Sequence, residues 1–235
     1  MSNLLVKTAS SIHEIDSTVW DQLSGDLPFQ SHRWYAYGEQ VMADCTPIYL
    51  LIWNRNELVG RSSLWLVRNE PLPRMLGFFR RPVRALLKQW PLLICRSPLS
   101  YTSGLIMTGH ANKAEILSAV TESALAVARK HRASFVLVDY LSKAQILDWP
   151  RHFSLMGAPE PGMKMENRWA DLDEYLASAG KKERQHYKRV LREAGKLGIR
   201  IERHSYAPHI EEALPLIRSV EASHDGLPNP WARPR

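Results

Sequence analysis

The sequence predicts an α/β protein, in the α+β sense, with a mixed and mostly antiparallel central sheet flanked by helices. Three observations carry that expectation. Residues 48–53 (IYLLIW) and 58–67 (LVGRSSLWLV) are two β-rich runs joined by Asn54, Arg55, Asn56 and Glu57, which reads as a hairpin. Residues 111–132 form the clearest helical pattern, with Ile116, Val120, Ala124 and Val127 as its apolar stripe. Residues 135–141 (FVLVDYL) then form a short apolar run of buried-strand type.

The remaining elements follow in order. Residues 4–8 alternate weakly and predict a first strand, and Val19, Trp20 and Leu23 suggest a short helix. Residues 29–43 predict a helix with Ser31 as N-cap and Trp34, Tyr37, Val41 and Met42 packing inward. In the hairpin connector, asparagine suits the left-handed backbone of tight turns. Pro71, Pro73, Pro82 and Pro91 forbid a long straight helix across residues 71–95. A strand is expected over 100–107, and Thr108 or Asn112 is positioned to cap the helix that follows, whose Arg129 and Lys130 suit its C-terminal dipole. Gly157, Pro159, Pro161 and Gly162 mark a loop over 156–163. Beyond it come a short strand over 167–172, a helical stretch over 173–197 broken near Gly180 and ended by Gly198, a strand over 199–202, and a helix over 208–224.

The chain has 235 residues, 45% hydrophobic and 23% charged, which is enough to bury a core and argues against a mainly disordered or disulfide-framework protein. No run of about 18 uncharged apolar residues occurs, and the N-terminus lacks the long apolar core of a signal peptide. Cys45 and Cys95 form no CxxC. Two reduced thiols in a cytosolic protein is the reading adopted, with a single disulfide as the alternative.

The net charge of +7 is unevenly distributed. Residues 71–114 hold seven bases and no acid, and residues 181–203 hold nine bases against three acids. Segregated charge of this kind favours an anionic partner. Lys181, Arg184, Lys188, Arg192 and Lys196 recur at helical spacings and share one face, while Tyr187, Val190, Leu191, Ala194 and Leu197 can pack on another. The functional reading is a phosphate-recognising ridge built from Lys181, Arg184, Lys188, Arg189 and Arg192, because guanidinium forks match phosphate oxygens. The plainer alternative is a solvated face on a linking helix.

Other chemistry is excluded by absence. There is no HExxH and no GxSxG, and Gly180-Lys181 fails as a P-loop because Tyr175 and Lys182 occupy required positions. The nine histidines are scattered, so no metal site is expected. Asp139 and Tyr140 end a strand and can reach a cleft as base and acid, although such polar strand ends are common without function. The catalytic residues and the residues of any cofactor pocket are not assigned from sequence.

The residues also resemble a family. A WDQL helix start at Trp20, the segment PFQSHRWYAYGEQ over 28–40, the hairpin over 49–67 and the stretch over 169–202 together resemble the FemAB-type and CelD-like acyltransferases of the GNAT superfamily. Leu172, Tyr175, Leu176, Lys182, Arg184, Lys188, Arg189, Arg192 and Gly198 match the basic stretch that links two GNAT-like halves in that group. The resemblance implies a GNAT-like domain over 1–172, a basic linking helix over 173–198, and the beginning of an incomplete second GNAT-like domain over 199–235. It implies N-acyltransferase activity, moving an acyl or aminoacyl group onto an amine of a cell-envelope or polysaccharide precursor. The partners are an acyl donor and an amine acceptor. Acyl-CoA or aminoacyl-tRNA is the co-substrate, nothing is bound tightly, and no metal or redox cofactor is implied. The location implied is cytoplasmic, peripheral to the inner membrane face.

Two departures stand beside the resemblance. The (R/Q)xxGx(G/A) turn that binds CoA pyrophosphate has its nearest counterpart at 192–197, where Leu197 replaces the last small residue and the position is late in a helix. Only about one strand and one helix follow the linking helix, so the sequence is expected to be truncated and catalytically incomplete. Residues 74–96, which interleave arginine with Phe78, Phe79, Trp90 and leucines, have the composition of a segment lying on an anionic membrane surface, against the plain reading of an insertion between two strands. The rival functional classes are a nucleic-acid-binding protein using residues 181–203 and a non-catalytic membrane-surface protein. Against the former stands the lack of a helix-turn-helix, zinc or RNP signature.

Overall fold

In the computed structural model, the residues described are 4–70, 78–109, 111–141, 145–146, 149, 153–154, 166–202 and 209–223. The chain divides into two compact units, Met1–Leu155 with Ala213–Arg235, and Met156–Glu212. The loop expected over 156–163 lies outside the described residues.

The first unit is built on a six-stranded sheet. Its strands are β1 (Leu4–Ala9), β2 (Thr46–Asn54), β3 (Glu57–Val67), β4 (Leu92–Cys95), β5 (Leu105–Met107) and β6 (Phe135–Val138). The order is β1-β2-β3-β4-β6, with β5 also on β3, and every pairing is antiparallel except the parallel pair β4–β6. The α+β class expected from sequence is the class observed.

The predicted hairpin is β2–β3, but its left-handed residue is Arg55 (φ 55°), not an asparagine. Near its turn the register shifts: Ile52 faces Gly60 and Trp53 faces Leu58, so Val59 is an extra residue that bends β3. Eleven residues long and buried from Leu58 to Val67, β3 is the template of the sheet. One edge of it carries β2 throughout. The other is shared, with β4 on Leu64 to Val67 and β5 on Gly60 to Ser62. The strand expected over 100–107 is therefore only Leu105–Met107, because residues 96–104 leave the ladder between β4 and β5.

Period-two alternation splits the sheet's side chains between two cores. Tyr49, Leu51, Trp65, Val67 and Ile94 face α1 (Ser17–Asp21), α2 (His32–Val41) and α3 (Arg80–Gln89). Leu50, Ile52, Leu64, Leu66 and Leu93 face α4 (Lys113–His131), which buries Ile116, Leu117, Val120, Ala124 and Ala128. The caps are those the sequence suggests: Ser31 accepts from Trp34 N, and Asn112 accepts from Glu115 N. Within α2 the inward residues are Tyr35, Gly38 and Met42, whereas Tyr37 is half exposed. Tyr35 is drawn inward because its ring packs on Trp20 and Tyr49 and its hydroxyl finds partners below. Pro82 is compatible with α3 because it sits in the first turn, where its missing N–H is not needed.

The first core contains one charge. Arg61 of β3 is fully buried, its guanidinium 3.8 Å from the Trp20 ring centroid. Its Nη2 donates to Ser24 Oγ (2.9 Å) and the Gln30 carbonyl (2.7 Å), while Nε and Nη1 have no partner among the described residues. Burial pulls its pKa down to about 10.

In the second unit the helical stretch breaks as expected at Gly180, giving α5 (Leu172–Ser178) and α6 (Lys181–Lys196). Gly198 ends α6 with φ 64°. The strands expected over 167–172 and 199–202 are not formed: the described residues there join no ladder and are mostly exposed, including Ile201 at 96%. The last described helix, α7 (Ile210–Ser223), falls mostly within the first unit, from Ala213 on.

Candidate functional site

Ligands of open sheets bind beyond the carboxyl ends of parallel strands, where neighbouring chains part. Here β4 and β6 are the parallel neighbours. Their pairing runs from Leu92/Phe135 to Cys95/Val138, extended by Asp139 N donating to the Cys95 carbonyl at 3.1 Å. Past that point β4 turns into residues 96–104, and β6 ends in Asp139 and Tyr140.

Both parting chains place a charge at the opening. Arg96 Nη2 lies 2.8 Å from Asp139 Oδ2 and 2.7 Å from Glu70 Oε1. The three side chains are only 11%, 28% and 19% exposed, respectively. Arg96 Nε and Glu70 Oε2 are buried and unpaired among the described residues, so the cluster keeps one donor and one acceptor in reserve. Burial works against the Arg96 charge, but Glu70 and Asp139 outweigh it and raise the pKa. Tyr140 is 44% exposed, and its edge meets Tyr101 at 5.4 Å between ring centroids. Partial burial raises its pKa against the pull of Arg96, so at neutral pH it is an O–H donor.

The opening is held by an unusually polar clamp. Ser97 Oγ donates to the Phe29 carbonyl (2.5 Å), and Trp34 Nε1 donates to the Pro98 carbonyl (2.7 Å). Gln30 Nε2 donates to Thr102 Oγ1 (3.1 Å) and the Ser103 carbonyl (2.9 Å). Tyr35 donates to Gln30 Oε1 (3.1 Å) and lies 3.0 Å from Ser63 Oγ, which donates to the Arg96 carbonyl (2.8 Å). The sequence PFQSHRWY is thus the segment that fixes residues 96–104. Pro98 packs where a Cβ on Gly38 would stand, and Gly104 leaves no space for one beside Ser63 and Arg96.

Left-handed backbone marks both sides of the opening: Leu99 has φ 51° and Tyr140 has φ 57°. Such a conformation costs a residue with a Cβ about 1–2 kcal/mol, and it persists where surrounding structure over-determines it. Bonds to Phe29, Gln30 and Trp34 do so around Leu99, and the Arg96–Asp139 ion pair does so beside Tyr140.

Neither thiol is a nucleophile. Both are free and buried. Burial pushes Cys45 up to about 12 and Cys95 to about 11, so both are protonated at neutral pH. Among the described residues no group of three His, Cys, Asp or Glu side chains is placed to hold a metal ion.

The basic residues singled out by the sequence all lie on α6 in the second unit. Lys181, Lys188, Arg189 and Arg192 are exposed, and Arg184 is half-buried. Arg184 is already engaged, its Nη1 reaching the Ala179 carbonyl and, at 3.4 Å, the Ala177 carbonyl at the end of α5. Arg189 Nη2 lies 3.0 Å from His186 Nδ1, and Arg192 Nε donates to the Lys188 carbonyl at 3.3 Å. The apolar stripe expected to pack does not: no residue of α6 is buried, and Val190 and Leu191 are about half exposed. Beside the start of α5, Asn167, Trp169, Ala170, Asp171, Leu172 and Tyr175 line an open groove of ≈ 500 Å³.

Sequence reasoning flagged Asp139 and Tyr140 and missed Arg96 and Glu70. The available signal was that LLIC and FVLV, two short apolar runs, each end in a charged residue. No protein-family model matches the chain, and comparison with curated proteins returns no match.

Proposed function

We propose that this chain is an N-acyltransferase of the FemAB or CelD-like GNAT type, acting in the cytoplasm on an amine of an envelope or polysaccharide precursor. The observation that carries the reading is the opening beyond Cys95 and Val138, where two parallel strands part at the side of an otherwise antiparallel sheet. In this reading an extended acyl donor lies where the strands part, beside Tyr140.

Acyl transfer forms a C–N bond and breaks the donor's C–S or C–O bond. The amine proton goes to solvent, and the departing sulfur or oxygen takes a proton. Tyr140 is the proton donor to that leaving atom, and the ion pair Arg96–Asp139 holds the Tyr140 segment in its left-handed conformation. On the second unit taken by itself, Lys181, Lys188, Arg189 and Arg192 are the cations this reading assigns to a phosphate, with Arg184 serving mainly to fix the α5–α6 junction.

The test is a thermal-shift titration with acetyl-CoA, longer acyl-CoAs and free CoA, followed by thiol release in the presence of amines. A shift that Arg189→Ala and Arg192→Ala weaken, with thiol release that Tyr140→Phe lowers, supports the reading. No shift with any CoA derivative and none with aminoacyl-tRNA refutes it. Unchanged ligand affinity in Arg184→Ala and Arg189→Ala removes the phosphate role from α6.

A further inference from the structure

At the opposite end of the same sheet, where β4 and β6 begin, the fold gathers residues that are far apart in sequence. Ser134 N donates to the Pro91 carbonyl (2.8 Å), and Ser134 Oγ donates to the Trp90 carbonyl (3.2 Å). These bonds set Trp90, 40% exposed at the end of α3, beside Phe135, 66% exposed at the start of β6. Leu86, Phe79 and Phe78 continue the exposed apolar surface along α3, while Val83 and Leu87 of the same helix pack on the core.

Around this surface stand bases from three elements. Arg81, Arg84 and Lys88 come from α3, Arg129 and Lys130 from the last turn of α4, and Arg132 from its left-handed C-cap, all exposed. Arg68 joins them, its Nη1 donating to the Lys88 carbonyl at 2.8 Å. Among the described residues, the acid towards this end is Asp44, and it is engaged, its Oδ2 accepting from Asn69.

We propose that this end of the first unit docks on an anionic lipid bilayer. Tryptophan and phenylalanine beside cations suit a headgroup boundary, where the rings enter the acyl edge and the bases meet anionic headgroups. A nucleic acid fits the charge but not the apolar surface. Leu86 offers no ring for a base to stack on, and Phe78 and Phe79 already face each other with centroids 4.0 Å apart. No described helix is long and apolar enough to cross a membrane, so the contact is a surface one.

The experiment is co-sedimentation of the full chain with vesicles of phosphatidylcholine alone and with vesicles rich in phosphatidylglycerol. Two variants accompany the wild type, Lys88→Gln/Arg129→Gln/Lys130→Gln and Trp90→Ser/Phe135→Ser, each checked by thermal unfolding. Wild type partitions onto the anionic vesicles, each neutralised base lowers that partition about fivefold, and the aromatic variant loses it at equal charge. Equal binding to both vesicle types overturns the proposal. So does a folded triple variant that binds as wild type, or RNA binding weakened by the aromatic variant with no vesicle binding. CoA titration reads a different surface, so failure here leaves the acyltransferase reading standing.

Discussion

The guanidinium of Arg96 lies 2.8 Å from the carboxylate of Asp139, tying the first residue after β4 to the first residue after β6. Removing the cation leaves Asp139 and Glu70 facing each other without compensation. Arg96→Met is expected to destabilise the first unit by about 3 kcal/mol, since breaking a largely buried pair from one side strands the other charge. Adding Glu70→Gln restores part of the loss. Urea unfolding of the two variants measures both.

Pro98 fills the volume a side chain on Gly38 needs, with ring carbons 2.5 Å from the position of its Cβ. Gly38→Ala forces α2 and residues 96–104 apart and costs about 1–3 kcal/mol. Because the obstacles are the Cβ and Cγ of Pro98, Pro98→Gly in the same chain recovers part of the stability. A double-mutant cycle that shows no coupling contradicts this packing.

Alkaline pH weakens the fold through its buried acids. The thiols titrate ordinarily near 9.0, but Cys45 and Cys95 are raised to about 12 and 11 in the folded chain. Above pH 9 the unfolded chain loses thiol protons that the folded chain keeps. Stability is therefore full below pH 9 and declines as pH rises through 11, by at most about 1.4 kcal/mol per unit for each thiol. Tyr35 and Tyr49, both raised by burial, act with the same sign above pH 10. Melting temperature against pH gives the slope, and it flattens between pH 9 and 11 in Cys45→Ala/Cys95→Ala.

Two arginines of α6 separate structure from ligand binding. Arg184→Ala removes donors from the Ala177 and Ala179 carbonyls and lowers helix content of the second unit, at a cost of about 1 kcal/mol. Arg189→Ala, whose group meets an exposed His186, leaves helix content unchanged. Circular dichroism distinguishes the pair, and equal losses contradict the assignment.

The sheet and its caps were legible because local chemistry dictates them: two β-rich runs and their short connector wrote β2 and β3, and Ser31 and Asn112 marked helix starts. Residues 135–141 misled by composition. An apolar run reads alike in a central strand and in β6 at the end of the strand order, and only pairing reveals that Phe135 is exposed. Ile199 and Ile201 misled in the same way, since alternation states a preference that no neighbouring strand here satisfies. The opening at Arg96 was illegible for a geometric reason. Glu70, Arg96 and Asp139 are far apart in the chain, and nothing local says that β4 will lie between β3 and β6 and bring them together.

Trp20 and Arg61 also constrain how this sequence can drift. Loss of Trp20 alone takes from Arg61 the ring 3.8 Å away and from the Gln30 carbonyl the indole N–H, and loss of Arg61 alone leaves Ser24 Oγ and the Gln30 carbonyl each one donor short. Each single loss is expected to destabilise the first unit, and a double-mutant cycle is expected to show the two positions coupled.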